Sequence, residues 1–476
     1  MKLYKYSTQK LIAACLFMLS FNMSCKKLVQ IDPPVSSITT SEVFADSADA
    51  GAAVAGIYST MSYPKPSFGN SMLTLYPGLS ADELLNFNSN GDLLNLSDNT
   101  VLASNGNPSA IWTIGYTDLY EPNAILEGLQ ASSSIAATVK DQFTGEALWF
   151  RAFINFYLVN LFGDIPLVIS TDYKSNAVAS RTSISKVYQS VISDLKEAQS
   201  LLAADYSAGG GERIRVNKWA ATALLARAYL YTGVYDSAEA QATSIINETA
   251  LFNLDTLNGV FLKNSTEAIL QWQNNSSINT YTYNATAEAE YFIPTKPTNP
   301  PMYYLTSQII NAFETGDSRK IAWIDSTIYN GVTYYYPYKY KVGPAQAAAN
   351  ATVKEYYTVL RLAEQYLIRA EARAQQNTNL MGAIADLNVI RERANLPDLS
   401  SSLNQFQVLA AVAQERRIEL FAESGHRWLD LKRTGQVAAA FSNIPNKSAY
   451  QPYQQLYPVP LSEMLNDPNL MQNPGY

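Results

Sequence analysis

The chain has 476 residues, 47% of them apolar and 16% charged, and 34 basic against 41 acidic side chains give a net charge of −7. That composition can bury a core and is too apolar for disorder; with no clustered basic block it does not suit a phosphate-neutralising nucleic-acid binder. One histidine, His426, and two cysteines leave no His/Cys set able to enclose zinc, and a Ser–His–Asp enzyme would have to use that one histidine.

The first segment reads as a processing signal. Lys2, Lys5 and Lys10 precede the apolar run Leu11 to Phe21, which is too short to span a bilayer and suits a secretory leader. Ser24 and Cys25 follow, so residues 1–24 resemble a bacterial lipoprotein signal, although Asn22 stands where leucine is usual. Cys15 would leave with the leader. Cys25 would then be the sole cysteine of an exported chain, unable to form an internal disulfide and most simply a lipid attachment site. Residues 25–40 contain Asp32-Pro33-Pro34 and read as a short extended tether. No later apolar run approaches the roughly 18 residues of a membrane helix.

Residues 41–250 are expected to be helical. Ile184, Val187, Tyr188, Val191, Leu195, Ala198 and Leu202 fall on one face of a 3.6-residue helix, with Thr182 or Ser183 as its N-cap. Leu225, Ala226, Tyr229, Gly233, Tyr235 and Ala238 have the spacing of a tetratricopeptide helix pair, in which glycine ends the first helix and aromatics fill the seam. Arg151-Ala152, Arg227-Ala228 and Arg369-Ala370 recur at the same place in related helices. Between them, Asn86 to Pro108 is rich in Asn, Ser, Gly and Asp and reads as a loop.

In residues 251–476, the stretch from about Asn274 to Asn350 is dense in tyrosine and poor in charge, which suits a functional loop region. Val332 to Tyr340 alternates like a hairpin strand. Glu415, Glu419 and Glu423 lie on one helix face, and His426 follows. A glycosidase needs two carboxylates flanking a bond from opposite sides, which acids stacked on one helix do not supply. They read instead as part of an Arg–Glu network with Arg416, Arg417 and Arg427, and Trp428 reads as core. Asp82, Glu83, Asp92 and Asp98 lack the spacing of a calcium loop and read as solvated loop acids. Neither a metal nor a cofactor is expected.

With 32 tyrosines against 17 phenylalanines and 6 tryptophans, the chain suits recognition of a wet, partly apolar ligand. Sugars present C–H faces to rings and hydroxyls to amides. The candidate ligand-binding residues are Asn86, Phe87 and Asn88 with a ring platform of Tyr281, Tyr283, Tyr291 and Trp323. Trp112 and Trp272 read as core.

Several blocks in family order carry a resemblance. They include Leu79-Ser80-Ala81-Asp82-Glu83-Leu84, Leu148-Trp149-Phe150-Arg151-Ala152-Phe153, Asn160-Leu161-Phe162-Gly163-Asp164-Ile165-Pro166-Leu167, Glu415-Arg416-Arg417-Ile418-Glu419-Leu420, Gly425-His426-Arg427-Trp428-Leu429-Asp430-Leu431 and Gln472-Asn473-Pro474-Gly475-Tyr476. Together they make the chain resemble the RagB/SusD family of nutrient-binding outer-membrane lipoproteins. The resemblance implies a mainly α fold with four tetratricopeptide-like units, minor β structure and a loop-rich variable ligand-binding face. It implies a lipid anchor at Cys25, display at the outer membrane, and a SusC-like TonB-dependent transporter as partner. The expected function is non-catalytic glycan capture and delivery. A peptide receptor of the same family and a structural scaffold of the transporter complex are the alternatives.

Overall fold

The computed structural model describes residues 40–62, 66–88, 91–274, 284–347 and 351–476. The leader, Cys25 and the predicted ring residues Tyr281 and Tyr283 lie outside them. Helices dominate: α1 (Ser47–Ser62), α2 (Ser71–Ser80), α3 (Gly91–Ser97), α4 (Gly106–Ala131), α5 (Ala137–Phe162), α6 (Ile184–Leu201), α7 (Lys218–Tyr231), α8 (Tyr235–Ile246), α9 (Leu362–Gln376), α10 (Leu380–Arg393), α11 (Gln405–Glu419) and α12 (His426–Arg433). The strands β1 (Leu84–Asn86), β2 (Ala268–Trp272), β3 (Tyr303–Leu305), β4 (Ile324–Tyr329), β5 (Val332–Pro337) and β6 (Tyr357–Arg361) form antiparallel pairs β1–β3, β2–β6 and β4–β5.

The repeat signal in the sequence is real. α5 packs on α6, α7 on α8, α8 on α9, and α9 on α10. Gly233 at φ +73° turns the chain between α7 and α8, a conformation that costs a residue with a Cβ about 1–2 kcal/mol. Ala226, Ala238, Ala242 and Ala372 are small enough for these helices to approach closely, and Ile368 fills the seam. The three recurring arginines share a job. Arg151 pairs with Asp194 of α6 at 2.7 Å, Arg227 with Glu364 of α9 at 2.7 Å, and Arg369 with Asp386 of α10 at 2.6 Å. Each ties a helix to another through a charge-assisted bond.

On α6 the expected apolar face is buried from Val187 to Ala198. Ser183 takes the N-cap position, but its side chain does not cap. The Ile184 amide donates instead to Asp164 Oδ1 at 2.9 Å. The stretch from Asn86 to Pro108, expected to be a loop, holds α3 and the start of α4. Asn105 caps α4 by accepting from the Asn107 amide, so a polar composition hid a helix start. Likewise the tyrosine-rich region carries β3, β4, β5 and short helices rather than open loop.

β2 and β6 anchor the C-terminal half. Trp272 on β2 is buried, stacks on Phe150 at 5.7 Å and donates its indole N–H to Gly69 O at 2.9 Å, as its apolar context predicts. Trp112 is also buried. No helix among the described residues is long and apolar enough to cross a membrane.

Candidate functional site

The acids of α11 belong to a buried network, with partners other than those expected. Arg319 reaches Glu415 and Glu419, Arg361 reaches Glu267, Glu419 and Glu423, and Arg391 reaches Glu314 and Glu415. Arg393 adds Glu267 and Glu419. Burial opposes ionisation of Glu419, yet Arg393, Arg361 and Arg319 hold its carboxyl well below the usual range. Arg416, Arg417 and Arg427 face elsewhere, because successive helix positions point apart. Arg416 meets Asp430, and Arg417 and Arg427 share Asp82. Trp428 is buried and stacked on Phe441 at 6.1 Å, as expected.

His426 is buried, and burial pushes its imidazole down to about 4. Asp82 and Glu83, expected in solvent, are buried: Asp82 takes two arginines, and burial raises Glu83 to about 8. Asp92 accepts from the Gly106 amide and Asp98 from Asn446. No group of three potential metal ligands occurs among the described residues.

Of the predicted ligand residues, Asn86, Phe87 and Tyr291 are distributed over two faces of one strand pair. β1 pairs with β3 so that Asn86 opposes Tyr303 and Leu85 opposes Tyr304, and the Phe87 amide continues the ladder to Met302 O at 2.9 Å. Alternation puts Asn86 and Tyr303 on one side, and Leu85, Tyr304 and Phe87 on the other. Half-buried Tyr291 meets Tyr303 edge-on at 6.0 Å, on the Asn86 side. Burial pushes the Tyr291 hydroxyl up to about 12, so it stays a hydrogen-bond donor at neutral pH. Asn88 is exposed just beyond the strand.

Trp323 does not join them. It is 0% exposed, donates its indole N–H to Leu257 O at 2.8 Å, lies 4.7 Å from Lys339 Nζ and meets Phe261 at 5.9 Å. A ring enclosed in this way offers no face to a ligand, so the ring platform expected from sequence loses this member.

The other face gathers rings that sequence spacing did not single out. The β4–β5 hairpin turns at Asn330 and Gly331, both at positive φ, as a type I′ turn requires. Its register pairs Thr327 with Tyr334 and Tyr329 with Val332, so Tyr329 and Tyr334 share a face. That face lies against Phe87 and Tyr304. Phe87 meets Tyr329 at 5.6 Å and Tyr334 at 5.5 Å, and Tyr304 meets Tyr334 at 5.1 Å, all edge-to-face. Each such pair contributes about 0.5–1.5 kcal/mol. All four rings are half-buried, so they keep some ring surface in water. The Asn-Gly turn between Tyr329 and Val332 was the sequence signal that would have brought Tyr329 and Tyr334 together.

Beside this cluster, at Leu85, opens a cleft of about 200 Å³ lined by Asp82, Leu84, Gln308, Asn446 and Lys447. That is smaller than the roughly 300–1,000 Å³ of a site that encloses a small ligand. The arrangement suits an extended ligand lying across rings.

Two family models match the chain: "SusD family" over residues 275–476 and "Starch-binding associating with outer membrane" over residues 44–230. SusD-like protein P2 of Formosa agariphila is 27% identical over 93% of this chain and 95% of its own length. The starch-binding protein SusD of Bacteroides thetaiotaomicron is 32% identical over 25% of this chain and 21% of its own. Among solved structures, a SusD superfamily protein of Bacteroides vulgatus has a TM-score of 0.77 at 21% identity, covering 91% of this chain and 100% of that one. A laminarin-binding SusD-like protein has a TM-score of 0.73 at 23% identity, covering 90% and 99%. The tetratricopeptide-like helices, the helix-linking arginines and these matches along nearly the whole chain lead to one conclusion: the chain belongs to the SusD family of binding proteins, which are not enzymes.

Proposed function

We propose that this protein is a lipoprotein, anchored through Cys25 to the outer membrane and displayed at the surface, that binds a glycan and delivers it to a SusC-like TonB-dependent transporter. The observation that carries the binding step is the half-buried ring cluster of Phe87, Tyr304, Tyr329 and Tyr334. Sugar C–H faces stack on such rings, and the exposed amide of Asn88, just beyond the strand, suits hydroxyls. Tyr281 and Tyr283, outside the described residues, are proposed as further members of the set, whereas Asn86 and Tyr291 stand on the opposite face of the strand pair. Relatives named for starch and laminarin binding support a glycan over a peptide.

The test is calorimetric titration of protein lacking residues 1–25 against plant, algal and microbial oligosaccharides, alongside a mixed peptide pool. Binding of one glycan class with Kd of about 10 μM to 1 mM, roughly −7 to −4 kcal/mol, is the expected result. Phe87→Ala with Tyr334→Ala should weaken it at least about tenfold while the protein still melts cooperatively. A response to peptides alone would replace the glycan with a peptide. Silence toward both would leave a scaffold role.

A further inference from the structure

A cavity of about 530 Å³ opens between α9, α11 and α12, and none of the four clustered rings lines it. Its lining has two characters. One wall is apolar, with Leu409, Ala410, Ala413 and Phe406, whose ring is 80% exposed. These fall at helical spacing on α11, and the same stripe continues to Arg417. The other wall is basic, with Arg416, Arg417, Arg427 and Arg433.

These four guanidinium groups pair with three carboxylates. Asp430 takes Arg416 and Arg433, Glu371 takes Arg433, and Asp82 takes Arg417 and Arg427. Four positive against three negative charges leave an excess of one. Glu83, next to Asp82, does not supply the missing charge, since burial pushes it up to about 8 and keeps it neutral at physiological pH. His426 is neutral there too. Arg416 Nη1 and Arg417 Nε are buried and have no hydrogen-bond acceptor among the described residues. An N–H held from water without an acceptor is destabilising, the more so on a charged group.

We propose that this cavity is a binding site for a carboxylate carried on an apolar body, the carboxylate meeting the arginine wall and the apolar part lying on Phe406, Leu409 and Ala413. The ligand supplies the fourth negative charge and covers the exposed phenylalanine. A planar guanidinium matches a carboxylate better than an ammonium does, because its N–H groups are fixed in a fork. The same chemistry is offered by a free small carboxylate and by the C-terminus of a peptide. The site is separate from the ring cluster, so it stands or falls independently of the glycan reading.

The experiment titrates protein lacking residues 1–25 with 3-phenylpropionate, with N-acetyl-Leu-Phe and with N-acetyl-Leu-Phe-amide, followed by calorimetry and by thermal melting. The two carboxylates are expected to bind and raise the melting temperature, and the amide to bind at least tenfold more weakly. Preference for phenylpropionate identifies a free small ligand, and preference for the dipeptide a chain terminus. Phe406→Ser, which alters only an exposed ring, should keep the unliganded melting temperature and weaken both carboxylates about tenfold. Arg417→Lys keeps the charge but removes the planar fork, and should also weaken them. Equal binding of acid and amide, or no binding of either acid at 10 mM, roughly ten times a weak Kd of about 1 mM, overturns the proposal. So does unchanged affinity in Phe406→Ser.

Discussion

At the scale of the residue, His426 shows how burial changes chemistry. In sequence it is the one imidazole available for catalysis or pH sensing. In the structure it opens α12 inside the core, near Glu364, Arg227, Arg416 and Asp430. Burial lowers it to about 4, with Glu364 acting in the opposite direction. An unfolded histidine takes a proton near pH 6.5. Between pH 6.5 and 4 the unfolded chain therefore binds more protons at this position than the folded one. Stability contributed by neutral His426 is complete above pH 6.5 and falls as the pH drops through that window. The predicted loss by pH 4 is roughly 3 kcal/mol. Replacing His426 with Gln should remove that part of the acid slope, read from urea unfolding at pH 7 and pH 4.5. Identical slopes for the two proteins would contradict it.

At the scale of the element, the β4–β5 hairpin positions the ring cluster. Its sequence was legible in part: alternation marked Val332 to Tyr340, of which Val332–Pro337 forms β5, while the Asn330-Gly331 turn signal went unread. Gly331 has φ +77°, and a Cβ there would meet no atom within 4 Å. Gly331→Ala therefore tests backbone conformation without a clash. It should destabilise the hairpin by about 1–2 kcal/mol. Faster amide exchange in β4 and β5, with α7 and α8 unaffected, would show this. Ligand affinity should fall in parallel, because Tyr329 and Tyr334 depend on the hairpin register. An unchanged exchange rate in β5 would refute the turn assignment.

At the scale of the whole molecule, buried charge links segments far apart in sequence. Glu419 accepts from Arg319, Arg361 and Arg393, which stand on three different segments. Removing one partner of a buried ion pair costs about 3–5 kcal/mol, because the remaining charge stays desolvated. Glu419→Gln should therefore lower the unfolding free energy, extrapolated from denaturant titration, by that amount. Glycan affinity of the folded fraction should not change, since the arginine partners of the Glu419 carboxylate, Arg319, Arg361 and Arg393, are not members of the ring cluster. A variant that keeps wild-type stability but loses binding would reverse this assignment.

Sequence alone determined the helical scaffold, because a 3.6-residue apolar period and the Ala/Gly/aromatic spacing of a repeat are local signals. It also marked Trp112, Trp272 and Trp428 as core from their neighbours, and located a hairpin by its alternation. Phe87, flanked by Asn86 and Asn88 in a polar stretch, was proposed from sequence as a ligand contact. Only the tertiary structure decided who meets whom. Trp323 and Tyr334 look alike in sequence, as aromatics in one tyrosine-rich region, yet one is enclosed beside Lys339 and the other is half-exposed against Phe87. The acids of α11 found Arg319, Arg361, Arg391 and Arg393 rather than their sequence neighbours, because adjacent helix positions point in different directions. Asp82 and Glu83 read as loop acids until α11 and α12 closed over them. The strand pair β1–β3 separated Asn86 from Phe87 by placing them on opposite faces. Local periodicity writes the elements, whereas long-range pairing, which composition and spacing leave open, chooses the faces that become the site.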